Sequence, residues 1–98
     1  MRVRESVIEE AFTQVAIRNS WFVKKLSFEG SADAPDRILI KNGNVVFVEL
    51  KRPNGKPRPS QEFMFNVMRE YGAKVYVISS KEQIQKLFDE LAQNMDNK

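Results

Sequence analysis

The fold of this 98-residue chain is decided by the stretch from Asp36 to Lys51, which reads DRILIKNGNVVFVELK. Two apolar runs flank an Asn42-Gly43 pair, and Asn-Gly between such runs is the strongest short-range signal for a β-hairpin. If these two residues alone form the turn, Asp36 lies opposite Glu49 in the paired strands, whereas a longer loop would shift this register.

The predicted hairpin brings two carboxylates together. Side chains alternate between the faces of a strand, so Asp36, Glu49 and Lys51 share one face. The rest of that face is apolar and consists of Ile38, Ile40, Val45 and Phe47. Directly opposed carboxylates repel each other, and a divalent cation can compensate that repulsion. The alternative is a solvated rim or a salt bridge at the strand ends.

The other elements follow from hydrophobic periodicity and turn residues. We predict a helix over residues 4–18, a strand over 21–28, a helix from Ser60 to Tyr71, a strand over 75–78 and a final helix after Ser80. Residues 93–98 are mostly polar and are expected to form a flexible tail. The order α-β-β-β-α-β-α predicts one α/β domain over residues 1–98, with a mixed central sheet flanked by helices on both faces.

Composition restricts the chemistry. The chain contains no cysteine and no histidine, which excludes disulfides, the usual zinc sites and Ser-His or Cys-His nucleophiles. Any metal ligands must be oxygens, which suits Mg²⁺ or Mn²⁺. The net charge of +3 is compatible with a polyanionic partner. No apolar run approaches the length of a membrane span and no signal peptide is evident, so cytoplasmic residence without a membrane partner is expected.

Five sequence segments resemble one nuclease family. Pro35-Asp36, the hairpin and Glu49-Leu50-Lys51 resemble the PD-(D/E)xK nuclease motif. More narrowly, the chain resembles the virus-type replication–repair nuclease (VRR-NUC) family in its small, stand-alone phage or bacterial form. The matching segments are residues 5–9, 35–37, 46–51, 60–61 and 72–77, and the resemblance spans about residues 5–88.

One position departs from the family pattern. Asp33 stands where the family usually has a glycine. It either binds metal through water or belongs only to the loop.

The resemblance implies a restriction-endonuclease-like core and a role for each matched residue. Asp36 and Glu49 would hold one or two Mg²⁺ or Mn²⁺ ions, with the carbonyl of Leu50 as a further ligand. Lys51 would orient the attacking water or stabilise charge on the phosphate. An acidic residue of the first helix, either Glu5 or Glu9, and Gln61 of the fourth-strand crossover would approach the site. For Glu5, Glu9 and Gln61 the alternative is that each is only a polar residue at the surface or at a helix terminus.

The resemblance also implies a substrate and partners. We expect DNA, with phosphate contacts from Lys24, Lys25, Arg37, Arg52, Lys56 and Arg58, and selectivity for branched structure over sequence. The leading interpretation is a homodimeric Holliday-junction resolvase, phage-encoded and active in the bacterial host cytoplasm. The chain has more large aromatic side chains than one small core can easily bury, which favours such an interface; they are Trp21, Phe22, Phe28 and Phe65. Phe65 is expected to lie outside the inward stripe of its helix. The alternative for each of them is ordinary packing against the sheet. The alternatives are a flap or nicking endonuclease guided by a replication or repair helicase, and an inactive nucleic-acid-binding module.

Overall fold

Three helices and four strands follow one another in the part of the chain that the structure, a computed structural model, describes, which is residues 5–96. They are α1 (Glu5–Arg18), β1 (Phe22–Lys25), β2 (Arg37–Lys41), β3 (Asn44–Leu50), α2 (Pro59–Glu70), β4 (Lys74–Ile78) and α3 (Lys81–Asp96). The predicted order α-β-β-β-α-β-α is confirmed. Arg4 of the predicted first helix and residues 97–98 of the predicted tail lie outside the described residues.

The four strands form one mixed sheet in the order β1-β2-β3-β4. The first three strands are antiparallel, and β4 pairs parallel with β3. The hairpin has the predicted register, with Ile38 opposite Phe47. Its turn residues Asn42 and Gly43 both have positive φ, at 51° and 80°. A two-residue turn of this kind requires such angles, which is why Asn-Gly suits it.

The main core lies between one face of the sheet and the helices α1 and α3. On that face Leu39, Val46 and Val48 are completely buried. Phe12 of α1 and Phe88 of α3 meet over them, with ring centroids 5.5 Å apart. Burial of side chains of this size stabilises the fold by roughly 1.5–3 kcal/mol each.

The opposite face carries α2 and is covered only in part. Phe65 of α2 and Val75 of β4 are buried there. Phe22, Ile40 and Val45, which lie side by side on β1, β2 and β3, remain exposed. The face that holds Asp36 and Glu49 is therefore apolar, as predicted, but it is the more open of the two.

Two of the aromatic residues expected at an interface are not available for one. Trp21 packs into the main core, where it contacts Phe88 edge-on, and Phe65 is 1% exposed. The expectation that Phe65 lies outside the inward stripe of its helix is wrong. Phe22 is exposed and Phe28 is half-buried.

Several element boundaries differ from the sequence prediction. Strand β1 ends at Lys25 and not at Phe28. The Leu26 amide still bonds in register to the Asp36 carbonyl at 2.8 Å, but Phe28 then bridges to Ser31 instead of pairing with β2. Helix α2 begins at Pro59, so Ser60 does not cap it. Helix α3 continues to Asp96, because Met95 packs against the core and holds residues 93–96 in the helix. No helix within residues 5–96 is long and apolar enough to cross a membrane.

Candidate active site

Two carboxylates meet where β2 begins and β3 ends. The backbone N–H of Asp36 donates to Oε1 of Glu49 at 3.1 Å. In return, the backbone N–H of Leu50 donates to Oδ2 of Asp36, also at 3.1 Å. Each carboxylate is thus fixed by the main chain of the other strand, and the juxtaposition predicted from the hairpin register is present.

The Glu49 carboxylate is buried, and both of its oxygens accept hydrogen bonds from the protein. Only 1% of Glu49 is exposed. Its Oε2 accepts a hydrogen bond from Gln61 Nε2 at 3.0 Å and lies 2.9 Å from Lys51 Nζ. A buried charge is costly unless it is paired and hydrogen-bonded, and these partners meet that requirement.

Gln61 joins the carboxylate to the loop before α2. Its Oε1 accepts hydrogen bonds from Lys51 Nζ at 3.4 Å and from the backbone N–H of Arg58 at 3.1 Å. Because the Arg58 amide is one of the unpaired donors at the start of α2, this bond also caps the helix. Within residues 5–96, no buried side-chain nitrogen or oxygen lacks a hydrogen-bond partner.

The acidic residues of α1 take different positions. Glu5 is exposed in the first turn. Glu9 is half-buried, and its Oε2 lies 3.5 Å from Nη2 of Arg37. Arg37 is itself buried, and its Nη1 donates to the Asp36 carbonyl at 3.2 Å. The arginine therefore connects Glu9, and not Glu5, to the backbone of Asp36.

The donor set fits a hard divalent cation held by two carboxylates. Within the described part of the chain, Oδ1 of Asp36 accepts no hydrogen bond from protein. No group of three or more acidic, histidine or cysteine side chains occurs in residues 5–96, so Glu9 forms no such cluster with Asp36 and Glu49. Mg²⁺ commonly keeps several waters and uses one or two carboxylates, so two are sufficient.

The predicted phosphate contacts divide into exposed and engaged side chains. Lys24, Lys25, Arg52 and Lys56 are exposed. Arg37 is buried beside Glu9. The guanidinium of Arg58 is about half exposed and donates to the Ala32 carbonyl at 2.8 Å.

The structure adds a contact that the sequence did not reveal. Oδ1 of Asp33 accepts a hydrogen bond from Ser60 Oγ at 2.9 Å and lies 3.5 Å from Nη2 of Arg58. Asp33 thus ties the loop before β2 to the first turn of α2, which favours its interpretation as a loop residue. No local spacing announces this contact, because the partners are more than 20 residues apart in the chain.

Comparison with known proteins agrees with this geometry. No protein-family model matches the chain. A solved structure described as "VRR_NUC domain" superposes with a TM-score of 0.81 at 31% identity, over 89% of this chain and 97% of that one. "Putative nuclease p44" of Acyrthosiphon pisum secondary endosymbiont phage 1 is 30% identical over 81 residues, which are 82% of this chain and 87% of that protein. The shared fold and this identity over most of both proteins mean that the chain belongs to the VRR-NUC family of nucleases.

Proposed function

We propose that the protein is a divalent-metal-dependent endonuclease that hydrolyses phosphodiester bonds in branched DNA. The observation that carries the proposal is the pair of carboxylates, Asp36 and Glu49, held against each other by the main chain with Lys51 beside them. In such an arrangement the two carboxylates supply metal ligands, and the lysine ammonium beside them supplies a positive charge and a proton donor.

Each side chain has a definite task in this proposal. Asp36, Glu49 and the Leu50 carbonyl would hold Mg²⁺ or Mn²⁺. Glu9 is the acidic residue of α1 that is linked to this set, through Arg37. When bound, the ion polarises a phosphate oxygen and lowers the pKa of a coordinated water. Lys51 is held by Glu49 and Gln61, so its ammonium is pre-positioned to orient the attacking water or to stabilise negative charge on the phosphate.

The preferred substrate in this proposal is a four-way junction cut by a homodimer. The support for a dimer is the exposed apolar row Phe22, Ile40 and Val45 on the open face of the sheet. A two-fold dimer presents two sites to two symmetry-related strands. The phage relative suggests that the enzyme acts in the cytoplasm of a bacterial host.

Two other functions make different demands. A flap or nicking endonuclease guided by a helicase needs the same site but no dimer. An inactive nucleic-acid-binding module needs no Lys51 at all, and the ordered contacts of that lysine with Glu49 and Gln61 argue against it.

A cleavage assay tests the proposal directly. Four-way junctions, flaps and linear duplex are incubated with the protein in Mg²⁺, in Mn²⁺ and in EDTA. We expect cleavage with either metal, preference for the junction and complete loss in EDTA. Asp36→Asn retains an oxygen for the Leu50 amide and should fold, yet cleavage should fall by at least two orders of magnitude, as is typical when a charge-stabilising group is removed.

The matched control is Asp89→Asn, the same change on the exposed side of α3, which should leave cleavage unchanged. Undiminished cleavage by Asp36→Asn, or by the parent protein in EDTA, would refute the assigned site.

A further inference from the structure

A small basic pocket lies between α1 and the edge strand β1, on the sheet face away from Glu49. Its volume is about 240 Å³, and it is lined by Thr13, Val23, Lys24, Lys25 and Arg37. Arg37 is more than nine-tenths buried, so the pocket has a fixed cation in its wall. Neither Lys51 nor Gln61 contributes to it.

The charges in this pocket are not balanced by the protein. In the antiparallel register of β1 and β2, Lys25 lies directly opposite Arg37, so both side chains project from the same face. Like charges directly opposite each other destabilise a sheet. Lys24 lies opposite Ile38 and projects from the other face, so its charge does not belong to the pocket. Glu9 pairs with Arg37, which leaves Lys25 without a described ion-pair partner in residues 5–96. An anion between the strands and α1 would remove that repulsion.

The pocket adjoins the candidate active site through the main chain. Arg37 directly follows Asp36, and its guanidinium holds the Asp36 carbonyl at 3.2 Å. The same carbonyl accepts the Leu26 amide just beyond Lys25 at 2.8 Å. A group bound in the pocket is therefore separated from the Asp36 carboxylate by a single strand end.

We propose that this pocket binds a phosphodiester group of the DNA strand that is being cut, one that flanks the scissile phosphate. The inference rests on the proposed nuclease function and names a second, separate contact with the substrate backbone. The lining offers cations and no amide or carboxylate side chain for reading base edges, so the contact positions DNA without reading sequence.

The decisive variant is Lys25→Ala, with Lys86→Ala on the exposed side of α3 as the matched control. DNA affinity is measured by fluorescence anisotropy in EDTA, where no cleavage takes place, at several salt concentrations. We expect Lys25→Ala to bind about tenfold more weakly, as for loss of one charged hydrogen bond. The slope of log K against log salt should fall by about 0.9, one phosphate contact. The control should match the parent protein in both.

A second measurement locates the contact on the DNA. Neutral methylphosphonate linkages are placed one at a time around the cleavage position. One of them should weaken binding of the parent protein but should not weaken binding of Lys25→Ala any further. An unchanged salt slope for Lys25→Ala would overturn the proposal. So would the finding that, at every position, the methylphosphonate weakens DNA binding of Lys25→Ala as much as it weakens binding of the parent protein.

Two further outcomes separate its possible failures. If the parent protein binds no DNA, the proposed nuclease function fails and the pocket inference fails with it. If inorganic phosphate raises the melting temperature of the parent but not of Lys25→Ala, while both bind DNA equally, the pocket takes free anions only. That result would overturn this inference and leave the nuclease proposal standing.

Discussion

At the scale of single residues, the amide of Gln61 ties the buried carboxylate to the loop. Its nitrogen faces Glu49, and its oxygen faces Lys51 and the Arg58 amide. An amide is suited to this position because it donates on one side and accepts on the other. A carboxylate or a lysine in its place could satisfy only one of the two sides.

Gln61→Ala should therefore weaken both stability and activity. Loss of the buried hydrogen bonds should cost about 1–3 kcal/mol of unfolding free energy. The Glu49 carboxylate would keep Lys51 and the Asp36 amide, so the fold should survive. Urea unfolding measures the loss, and Gln93→Ala on the exposed side of α3 is the control that should show none.

Gln61→Glu separates positioning from simple packing. It keeps the acceptor for Lys51 and the Arg58 amide but places a second carboxylate against Glu49 Oε2. Two ionised carboxylates in contact repel each other, and the repulsion is relieved when one of them is protonated. The unfolding free energy of Gln61→Glu relative to that of Gln61→Ala should therefore be greater at pH about 5 than at pH about 8. An equal difference at both values would show that the side chain at position 61 does not contact Glu49.

The residue pairs that sequence could predict are those fixed by strand alternation. Asp36 and Glu49 follow from counting outward from the Asn42-Gly43 turn, and that counting is local. The same counting places Arg37 on the core face with Leu39, yet its charge led us to predict it only as a phosphate contact. Gln61 came only from the family resemblance, because its contact with Glu49 depends on how α2 crosses the sheet.

At the scale of elements, the segment between β3 and α2 is held at one end and open at the other. Arg58 is fixed through its backbone by Gln61 and through its guanidinium by the Ala32 carbonyl and Asp33. Lys56, two residues earlier, is exposed. The two cations should thus behave differently, although the sequence suggests equivalent roles for them.

Lys56→Ala should change DNA binding alone. Its removal should lower the slope of log K against log salt by about 0.9, because one phosphate contact is lost, and should leave the melting temperature unaltered. Arg58→Ala should also lower the unfolding free energy, by about 0.5–1.5 kcal/mol for the bond to the Ala32 carbonyl. Lys74→Ala, at the opposite end of β4 from the site, is the control. An unaltered slope for Lys56→Ala would mean that this segment does not touch the DNA backbone.

The predicted elements were right where local chemistry decides them and wrong where tertiary contacts do. The Asn42-Gly43 turn and the apolar runs are local signals, and the hairpin has the predicted register. Strand β1 is shorter than predicted because Phe28 bridges to Ser31 and not to β2, and the length of α3 depends on Met95 reaching the core. Neither contact is visible in the periodicity of its own segment.

At the scale of the whole molecule, the two sheet faces differ in how fully helices cover them. Two helices close one face, whereas α2 covers the other mainly over β4. The sequence predicts helices on both faces but cannot say how much of each they cover. What remains open is the row Phe22, Ile40 and Val45, with exposed fractions of 53%, 36% and 43%. Contiguous exposed apolar side chains of this kind mark interaction surfaces.

We expect the protein to form a homodimer whose interface contains this row. A stable interface buries about 800 Å² on each partner and has an apolar centre, which the row can supply. Light scattering at micromolar concentration should give twice the chain mass of 11.4 kDa. Val45→Lys places a charge at the centre of the row, so it should yield the monomer mass with an unchanged helical circular dichroism spectrum. The control is Val7→Lys, at an exposed apolar residue of α1, which should stay dimeric.

Because only a dimer carries two sites, Val45→Lys should also replace paired nicks on a four-way junction with single, uncoordinated ones. A parent protein that is monomeric and prefers flaps would favour the helicase-guided enzyme, with the same catalytic residues acting on one strand at a time.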